Sequence, residues 1–515
     1  MSMLEGVTTD RRKLVAAVIV ILAVAAFVRF YHIQWSFSNN GIDEGVMLER
    51  SLMVSRGYHL YTELRCDQAP LAFYIGAVFG GDVISLRTLD AALSLLAIAS
   101  CMEAARRIRG NAAMLITGIL LTADFAVLRE SKLYSLDGMS SFFLAFSILF
   151  FTVYLQRGSR IALVGSGAMI GLSTTTKLFG VFGLLGMVIF MVLEMRREKA
   201  RRAQRVLETF MLVIVAAIPM MIFLLLLGPS DMLQGMVFNQ GRRSFDLFLK
   251  LSIPLYFGLN LAYALPLVCA RSTWRTRPEV RFLLVTSFVV LAFMIFQPLV
   301  LFHHMVLLSP ALATLAGVFV AESLEHKKGL SRSGATRPSS KKNPGTTWAI
   351  LAVLVVGIVV SAGLAAYGVG LQNRPWQNVY GERIGEITGR NDWVISGDPL
   401  VTAFADRQTP PNMVNLAYRL YPDFSVDDVE AAILEYNVSV VILCYRLDEF
   451  AQLPSFLADH NYSLVTAGWI GHGARSVLDM PSDPYGPVSF FVRDDIVAAF
   501  HLPTTGFQAQ LTSAS

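Results

Sequence analysis

Charged residues are scarce in this sequence: Asp, Glu, Lys and Arg make up 16% of its 515 residues, whereas soluble globular proteins carry about 25%. Hydrophobic residues reach 54%. Apolar runs of about 20 residues, the length that crosses a bilayer as a helix, recur along the chain. This composition excludes an ordinary soluble protein and predicts a polytopic membrane protein.

Cysteine is also scarce, with four residues in all, and their spacings match neither a metal site nor a disulfide framework. The formal net charge of +5 does not indicate a nucleic-acid partner, because the basic residues stand in short clusters between apolar runs. Clusters of this kind orient a membrane protein. No small-residue cleavage site follows the first apolar run, which is therefore predicted to be a retained helix and not a signal peptide.

About eleven transmembrane helices are predicted, with boundaries good to a few residues. They are placed at 14–31, 84–104, 111–128, 138–156, 161–176, 178–195, 207–227, 251–269, 281–298, 305–322 and 347–368. The loops after the even-numbered helices are rich in Lys and Arg, as is the N-terminus, which predicts a cytoplasmic side for all of them. An odd helix count then places the C-terminus outside. The assignment depends on dividing 161–195 into two helices around Thr174–Lys177.

The fold class predicted is mainly α, with a small C-terminal extracytoplasmic α/β domain. Residues 1–369 form the transmembrane domain, in which 31–84 is the first outer loop, and 370–515 form the outer domain. In that domain the apolar run Val438–Cys444 is predicted to be a buried strand. Ser425 and the acidic residues after it predict the start of a helix. Strands that alternate with helices are typical of an α/β domain.

Several ionisable residues are predicted to lie on the outer side of the membrane. Asp43 and Glu44 follow the first helix and suit a general base and a metal ligand, although an acidic turn in a solvated loop looks the same. Asp137 stands at the outer start of the fourth helix, where the helix dipole alone would favour it. Lys177 lies between two apolar runs, where ionisable groups are costly and commonly functional, unless its side chain reaches the headgroups.

Cations in later outer segments extend this set. Arg242 and Arg243 follow the seventh helix, and guanidinium groups bind phosphate through paired hydrogen bonds, although such pairs also bind lipid headgroups without specificity. His303 and His304 lie at the outer end of the tenth helix, and two adjacent histidines do not by themselves make a metal site. Acids and phosphate-binding cations at one membrane face suit a reaction on a lipid phosphate whose chain lies between helices.

These residues belong to short motifs that occur in a fixed order. The motifs are Asp43-Glu44, Asp67-Gln-Ala-Pro70-Leu-Ala-Phe-Tyr74, Leu86-Arg87, Tyr134-Ser-Leu-Asp137, Gly171-Leu-Ser-Thr-Thr-Thr-Lys177, Asn239 to Phe245, and His304-Met-Val-Leu-Leu-Ser-Pro310. In this order, and on these membrane sides, they resemble the motifs of the GT-C membrane glycosyltransferases, in particular the branch that holds protein O-mannosyltransferases and the lipid A aminoarabinose transferase. The Trp-Trp-Asp-Tyr-Gly signature of the oligosaccharyltransferase branch is absent, which disfavours that branch.

The resemblance implies an enzyme that moves a sugar from a polyprenyl-phosphate donor to an acceptor hydroxyl at the extracytoplasmic face. The acceptor is a lipid, a glycan or a protein, and no nucleic acid is expected as a partner. The resemblance implies that Asp43 is the general base. It implies that Asp137 orients the acceptor or the first loop, and it places Glu44 among the catalytic residues.

The same resemblance implies a role for the basic residues in binding the donor phosphate. Lys177 and Arg242, with Arg243 beside them, would neutralise the leaving phosphate. The basic residue expected before the Pro-Leu-Tyr segment is replaced by Gln68-Ala69, and Arg65 is expected to substitute for it. The resemblance leaves the need for a metal open, and the metal ligands it suggests for a divalent cation are Glu44 and His304.

Two other classes of protein remain open at this point. A flippase for polyprenyl-linked sugars, or another transporter, would place polar groups near the bilayer midplane on broken helices. A membrane scaffold whose outer domain binds a partner would not need its acidic cluster. An outer cavity that brings together Asp43, Asp137 and Lys177 favours the enzyme, whereas a central polar path favours transport.

Overall fold

The computed structural model describes residues 7–8, 10–35, 41–197, 199–239, 247–269, 277–332, 344–370, 376–414, 416, 424–445, 447–465 and 488–504. Within these residues the chain is mainly helical, and its strands lie in the C-terminal part. The predicted phosphate ligands Arg242 and Arg243 lie outside the described residues.

Helices follow one another closely from the N-terminus to residue 370. They are α1 (Arg11–Phe30), α2 (Gly41–Ser55), α3 (Leu71–Val78), α4 (Val83–Arg109), α5 (Asn111–Ala123), α6 (Phe125–Ser131), α7 (Leu136–Arg157), α8 (Arg160–Thr176), α9 (Gly180–Arg197), α10 (Arg202–Leu227), α11 (Pro229–Leu233), α12 (Ser252–Leu259), α13 (Leu261–Cys269), α14 (Pro278–Phe296), α15 (Ser309–Arg332) and α16 (Pro344–Gly370). Each predicted span coincides with one of these helices or with a bent pair of them. By length and composition, seven described helices are able to cross a membrane, or up to nine if each of two sharply bent pairs is one span.

The predicted division of 161–195 into two helices is confirmed. Helix α8 ends at Thr176, and Lys177 adopts an extended backbone with φ −147° and ψ 129°. Helix α9 begins at Gly180, where a Cβ atom would lie 2.6 Å from Ser173 Oγ and 2.7 Å from the Thr174 nitrogen. A side chain at position 180 would therefore push the two helix ends apart, and the close approach sets Lys177 at a fixed break between them.

The helices differ in how much of their surface the protein covers. In the span Phe302–Leu324, 94% of the most apolar window is buried, whereas α1 and the span that contains α10 have 11% buried. A helix that is apolar all round and uncovered by protein suits a lipid neighbour. The α15 region therefore lies in the centre of the bundle, and α1 and α10 lie at its lipid-facing rim.

The C-terminal part is the predicted small α/β domain. Its strands are β1 (Val394–Ser396), β2 (Val440–Leu443), β3 (Tyr462–Val465) and β4 (Ser489–Arg493), and its helices are α17 (Trp376–Ile387), α18 (Pro399–Ala405), α19 (Val426–Glu435), α20 (Leu453–Asp459) and α21 (Asp494–Phe500). The sheet order is β1-β2-β4-β3, with β1 parallel to β2 and the other pairs antiparallel. The predicted strand run contains β2, and Ser425 caps α19 as expected. The boundary at 369/370 stays a prediction.

The two parts share a hydrophobic cluster at the outer-loop helix α2. Val46 and Leu48 of α2 belong to one buried cluster with Leu400 of α18 and Val414. The C-terminal domain therefore packs directly on the helix that begins with the acidic doublet.

Candidate active site

A cavity of about 100 Å³ opens beside the first turn of α2. Its lining includes four acids, Asp43, Glu44, Glu130 and Asp137, and four basic side chains, Arg129, Lys177, His303 and His304. Uncharged residues complete it, namely Met47, Gln68, Leu133, Tyr134, Ser135, Leu136 and Leu301. Residues that the sequence placed on separate loops of one membrane face thus line one cavity.

Asp43 lies in the first turn of α2, and its side chain is exposed. The positive end of the helix dipole stabilises a carboxylate at this position. No hydrogen bond or ion pair with another described residue holds it. An accessible carboxylate at the edge of a cavity is suited to accept a proton from a bound hydroxyl group.

Glu44, the next residue, is in the opposite situation. It is 2% exposed, and both of its oxygens lie 2.7 Å from guanidinium nitrogens of Arg87 in α4. Its Oε1 also accepts a hydrogen bond from the Tyr134 backbone nitrogen at 3.0 Å. Glu44 therefore fastens α2 to α4 and to the α6–α7 loop. Its predicted role as a catalytic residue or metal ligand stays a prediction, and this geometry favours a structural role instead.

Asp137 and Lys177 form a buried pair inside the cavity. The Lys177 Nζ lies 2.5 Å from Asp137 Oδ2, and each side chain is 10% exposed. Asp137 stands in the first turn of α7, which Ser135 caps, and Lys177 occupies the break after α8. The lysine ammonium also lies 4.8 Å from the ring centroid of Phe179. A cation is thereby held in a site with little water, where its field is strong.

Two histidines face the same carboxylate. His303 Nε2 lies 3.8 Å from Asp137 Oδ2, and ligand atoms of Asp137, His303 and His304 all lie within 4.8 Å of one another. The Leu301 nitrogen donates to His304 Nδ1 at 3.2 Å, which fixes that ring. One carboxylate and two imidazoles form a donor set that fits a divalent transition metal. Lys177 competes for the same oxygen, so a cation would displace its ammonium group.

Arg129 and Glu130 also line the cavity, and the sequence analysis did not select them. Their side chains pair with each other, and Arg129 is 12% exposed. Glu130 Oε2 also accepts a hydrogen bond from Ser135 Oγ. The signal that was available was a charged pair at the outer end of the third predicted helix, shortly before Asp137. Arg129 adds a second strong cation to the cavity beside Lys177.

Arg65 takes a different place from the one expected. Its guanidinium lies 5.2 Å from the ring centroid of Phe424, and it is not among the residues that line the cavity. Gln68, three residues further, does line it. Among the described residues, the structure therefore does not place Arg65 with Lys177 in the lining of the cavity.

The comparisons with known proteins bear on the fold of the chain. Residues 67–223 match the family model described as dolichyl-phosphate-mannose-protein mannosyltransferase. The chain is similar to ArnT from Cupriavidus metallidurans in the apo state, with 17% identity, a TM-score of 0.62, and coverage of 94% of this chain and 98% of that one. ArnT bound to undecaprenyl phosphate is similar at 16% identity and TM-score 0.62, with 93% and 97% covered.

A third similar structure is the Archaeoglobus fulgidus oligosaccharyltransferase tethered with an acceptor peptide, at 13% identity and TM-score 0.54, which covers 92% of this chain and 75% of that one. No curated protein sequence matches the chain. At these identities the structural similarities show the fold. The predicted resemblance to the GT-C membrane glycosyltransferases is confirmed, and the chain is a multi-pass membrane protein with that fold.

Proposed function

We propose that this chain is a membrane glycosyltransferase that moves a sugar from a polyprenyl-phosphate donor to an acceptor hydroxyl at the extracytoplasmic face. The observation that carries the proposal is that Asp43 and the cations Lys177 and Arg129 line the same cavity. The similarity in fold to an ArnT bound to undecaprenyl phosphate supports a lipid phosphate as the leaving group. A cavity at one face with these residues is the outcome expected of the enzyme and not of the flippase.

In this reaction the carboxylate of Asp43 and the cations of the cavity have separate roles. Asp43 takes the proton of the acceptor hydroxyl while that oxygen attacks the anomeric carbon of the donor. The bond from the anomeric carbon to the phosphate oxygen breaks, and its electron pair leaves with the polyprenyl phosphate. Attack opposite the leaving group inverts the anomeric configuration. Lys177 and Arg129 stabilise the charge that develops on the phosphate, the largest single contribution in many enzymes.

Asp137 positions the cation in this scheme. Its Oδ2 holds the Lys177 ammonium group at 2.5 Å, so the lysine is oriented before the donor arrives. Positioning of charge before the reaction avoids reorganisation in the transition state. Asp137, His303 and His304 would also hold a divalent cation, which would supply positive charge near the leaving phosphate.

The finer topology forms part of the proposal. The basic clusters that flank the spans support a cytoplasmic N-terminus and an extracytoplasmic C-terminal domain. The acceptor class, whether lipid, glycan or protein, stays a prediction. The topology is tested by introducing single cysteines at positions 82 and 435 and labelling them in intact cells with a reagent that does not cross the membrane. If both cysteines were protected from this reagent, the proposed topology would be contradicted.

The function is tested by release of polyprenyl phosphate from polyprenyl-phosphate sugars. Purified wild-type protein and Asp43→Asn are compared in lipid, with several sugars and candidate acceptors. Asp82→Asn is the matched control, because Asp82 caps α4 at the surface, outside the cavity. We expect release by the wild type and the control, and a loss of at least about 100-fold in Asp43→Asn.

Each other outcome has a defined meaning. Full activity of Asp43→Asn in a correctly inserted protein would remove it as the general base. No release by the wild type with any donor, together with transfer of sugar lipids across the bilayer, would replace the enzyme with the transporter.

A further inference from the structure

Helix α2, which carries Asp43, is held on two sides. On the membrane side, Glu44 pairs with Arg87 and Arg50 pairs with Asp67 at 3.2 Å. On the other side, the C-terminal domain contacts Gly45 and Glu49, which lie four positions apart and so share one face of α2. It also contacts Arg56, which follows the last residue of the helix.

The first of these contacts lies in the same turn as Asp43. A Cβ atom on Gly45 would lie 2.2 Å from the Leu400 nitrogen and 2.7 Å from the Pro399 carbonyl carbon. The backbones of α2 and α18 therefore touch, and position 45 has no room for a side chain. The start of α18 therefore limits how far the first turn of α2 can move toward the C-terminal domain.

The second contact is a buried hydrogen bond one turn further along α2. Thr409 Oγ1 donates to Glu49 Oε1 at 2.7 Å, and both residues are 2% exposed. The preceding residue, Gln408, accepts a hydrogen bond from the Val394 nitrogen of β1 at 2.8 Å. The sheet of the C-terminal domain is thus connected to α2 through two successive hydrogen bonds.

The third contact covers the ion pair that fastens α2 to the membrane helices. The guanidinium of Arg87, which holds Glu44, lies 5.5 Å from the ring centroid of Phe404 in α18. Aromatic cover excludes water from an ion pair and strengthens it. Phe404 of the C-terminal domain therefore supports the ion pair that holds the turn presenting Asp43.

From these three contacts we propose that the C-terminal domain is a structural part of the catalytic centre, which fixes Asp43 in the cavity by docking α18 and Thr409 on α2. Gly45 and Thr409 are positioning residues and do not touch the reacting atoms. The inference rests on the proposed function. Its physical basis is that a displacement of about 1 Å at a reacting group costs up to about 100-fold in rate.

Removal of one hydroxyl group tests the proposal without a large change in volume. Thr409→Val removes the hydrogen bond to Glu49, and Thr409→Ser restores a hydroxyl group. Thr402→Val is the matched control, because Thr402 is a buried threonine of α18 whose hydroxyl bonds within that helix, to the Pro399 carbonyl at 2.8 Å. We expect kcat to fall about 10-fold in Thr409→Val with KM for the donor unchanged, and to recover in Thr409→Ser.

A second variant tests the backbone contact. Gly45→Ala forces α2 and α18 apart, and we expect a larger fall in kcat than in Thr409→Val. Gly363→Ala is the control, because a Cβ on this glycine of α16 meets nothing within 4 Å. Amide hydrogen exchange of α2 gives a readout that needs no activity: we expect it to speed up in Gly45→Ala and Thr409→Val, but not in the two controls.

The outcomes separate this inference from the proposed function. If the wild type releases no polyprenyl phosphate, the proposed function fails, and the exchange measurement alone still reports on the docking. If the wild type is active, and Thr409→Val and Gly45→Ala keep its kcat and its exchange in α2, the inference is overturned. A normal kcat with faster exchange in α2 would also overturn it, because docking would then not position Asp43.

Discussion

Each end of the helical bundle buries an acid–cation pair, and the two pairs are built differently. At the cavity, Lys177 meets one oxygen of Asp137, and His303 faces that same oxygen. About 20 Å further along α9, by the rise of a helix, Glu194 binds the guanidinium of Arg281 through both oxygens, at 3.0 and 2.8 Å. The second pair joins α9 to α14 and does not border the cavity.

This difference is the one we expect between a structural pair and, under the proposed function, a pair that takes part in the reaction. A bidentate pair between two helices has its geometry fixed by two parallel hydrogen bonds and serves to hold the helices. A lysine on a single carboxylate oxygen is a compact charge with rotatable donors, which suits a partner that exchanges between Asp137 and an incoming phosphate. The adjacent residues Asp43 and Glu44 show the same division, because Arg87 holds Glu44 and no described residue pairs with Asp43.

The largest expected effect is on catalysis at the cavity pair. Lys177→Met should lower the rate of polyprenyl phosphate release about 1000-fold, because the leaving phosphate loses its main counter-charge. Arg129→Gln should lose less, about 30-fold, since Lys177 remains. Steady-state release assays on protein with wild-type thermal unfolding check both. Near-normal rates in Lys177→Met would place the phosphate elsewhere.

Disruption of the bidentate Glu194–Arg281 pair should lower stability and leave catalysis nearly unchanged. Arg281→Gln removes the bidentate partner of the buried Glu194 carboxylate and leaves it only the more exposed Arg197, 3.8 Å away. We expect the free energy of unfolding to fall by about 3 kcal/mol. The rate per folded molecule should stay within about threefold of the wild type, because Arg281 does not line the cavity. Unfolding in detergent and activity at low temperature measure the two quantities. If Arg281→Gln were stable but inactive, the distinction between the Glu194–Arg281 pair and the Asp137–Lys177 pair would be wrong.

Removal of divalent cations tests the three-ligand group at the cavity. If Asp137, His303 and His304 hold a cation during turnover, a chelator should lower the rate about 30-fold, and added Mn²⁺ should restore it. His303→Gln should lower the untreated rate and abolish this response, whereas His501→Gln, on the surface of the C-terminal domain, should keep it. A rate that a chelator leaves unchanged would show that Lys177 alone balances Asp137.

The smallest effect concerns a buried carboxylate that is held by neutral groups. Asp398 caps α18 and accepts from Gln377 Nε2 and the Leu400 nitrogen, each at 3.0 Å. Burial raises the pKa of Asp398 from 3.8 to about 6. The folded state thus binds its proton more tightly than the unfolded state, so this group adds stability as the pH falls through about 6 and loses it as the pH rises.

The measurement compares wild type with Asp398→Asn, whose side chain is neutral at every pH. Between pH 7.5 and pH 5, the free energy of unfolding of the wild type should gain about 1.4 kcal/mol relative to the variant. Calorimetry or fluorescence at both pH values gives the difference. A difference between the two proteins that does not change with pH would show that Asp398 titrates normally.

Much of the fold could be predicted from the sequence because its determinants are local. The length of an apolar run, the charge of the loops and the break before Lys177 are all visible in one dimension, and the described helices match the predicted spans. The sequence also predicted a common membrane face for Asp43, Asp137 and Lys177, and the structure then showed that they line one cavity.

The remaining features depended on which side chains meet in three dimensions. Nothing in the doublet distinguishes Asp43 from Glu44, because only the position of Arg87 on α4 decides which acid is bound. The sequence likewise could not place Arg65 beside Phe424, Arg129 in the cavity, or Thr409 on Glu49 across 360 residues of chain. The sequence by itself determined a membrane chain with its reactive groups at one face, since bilayer thickness acts on each helix separately. The tertiary structure alone decided which acid remains available for chemistry and which segment positions it, because pairing and docking are set by packing between distant elements.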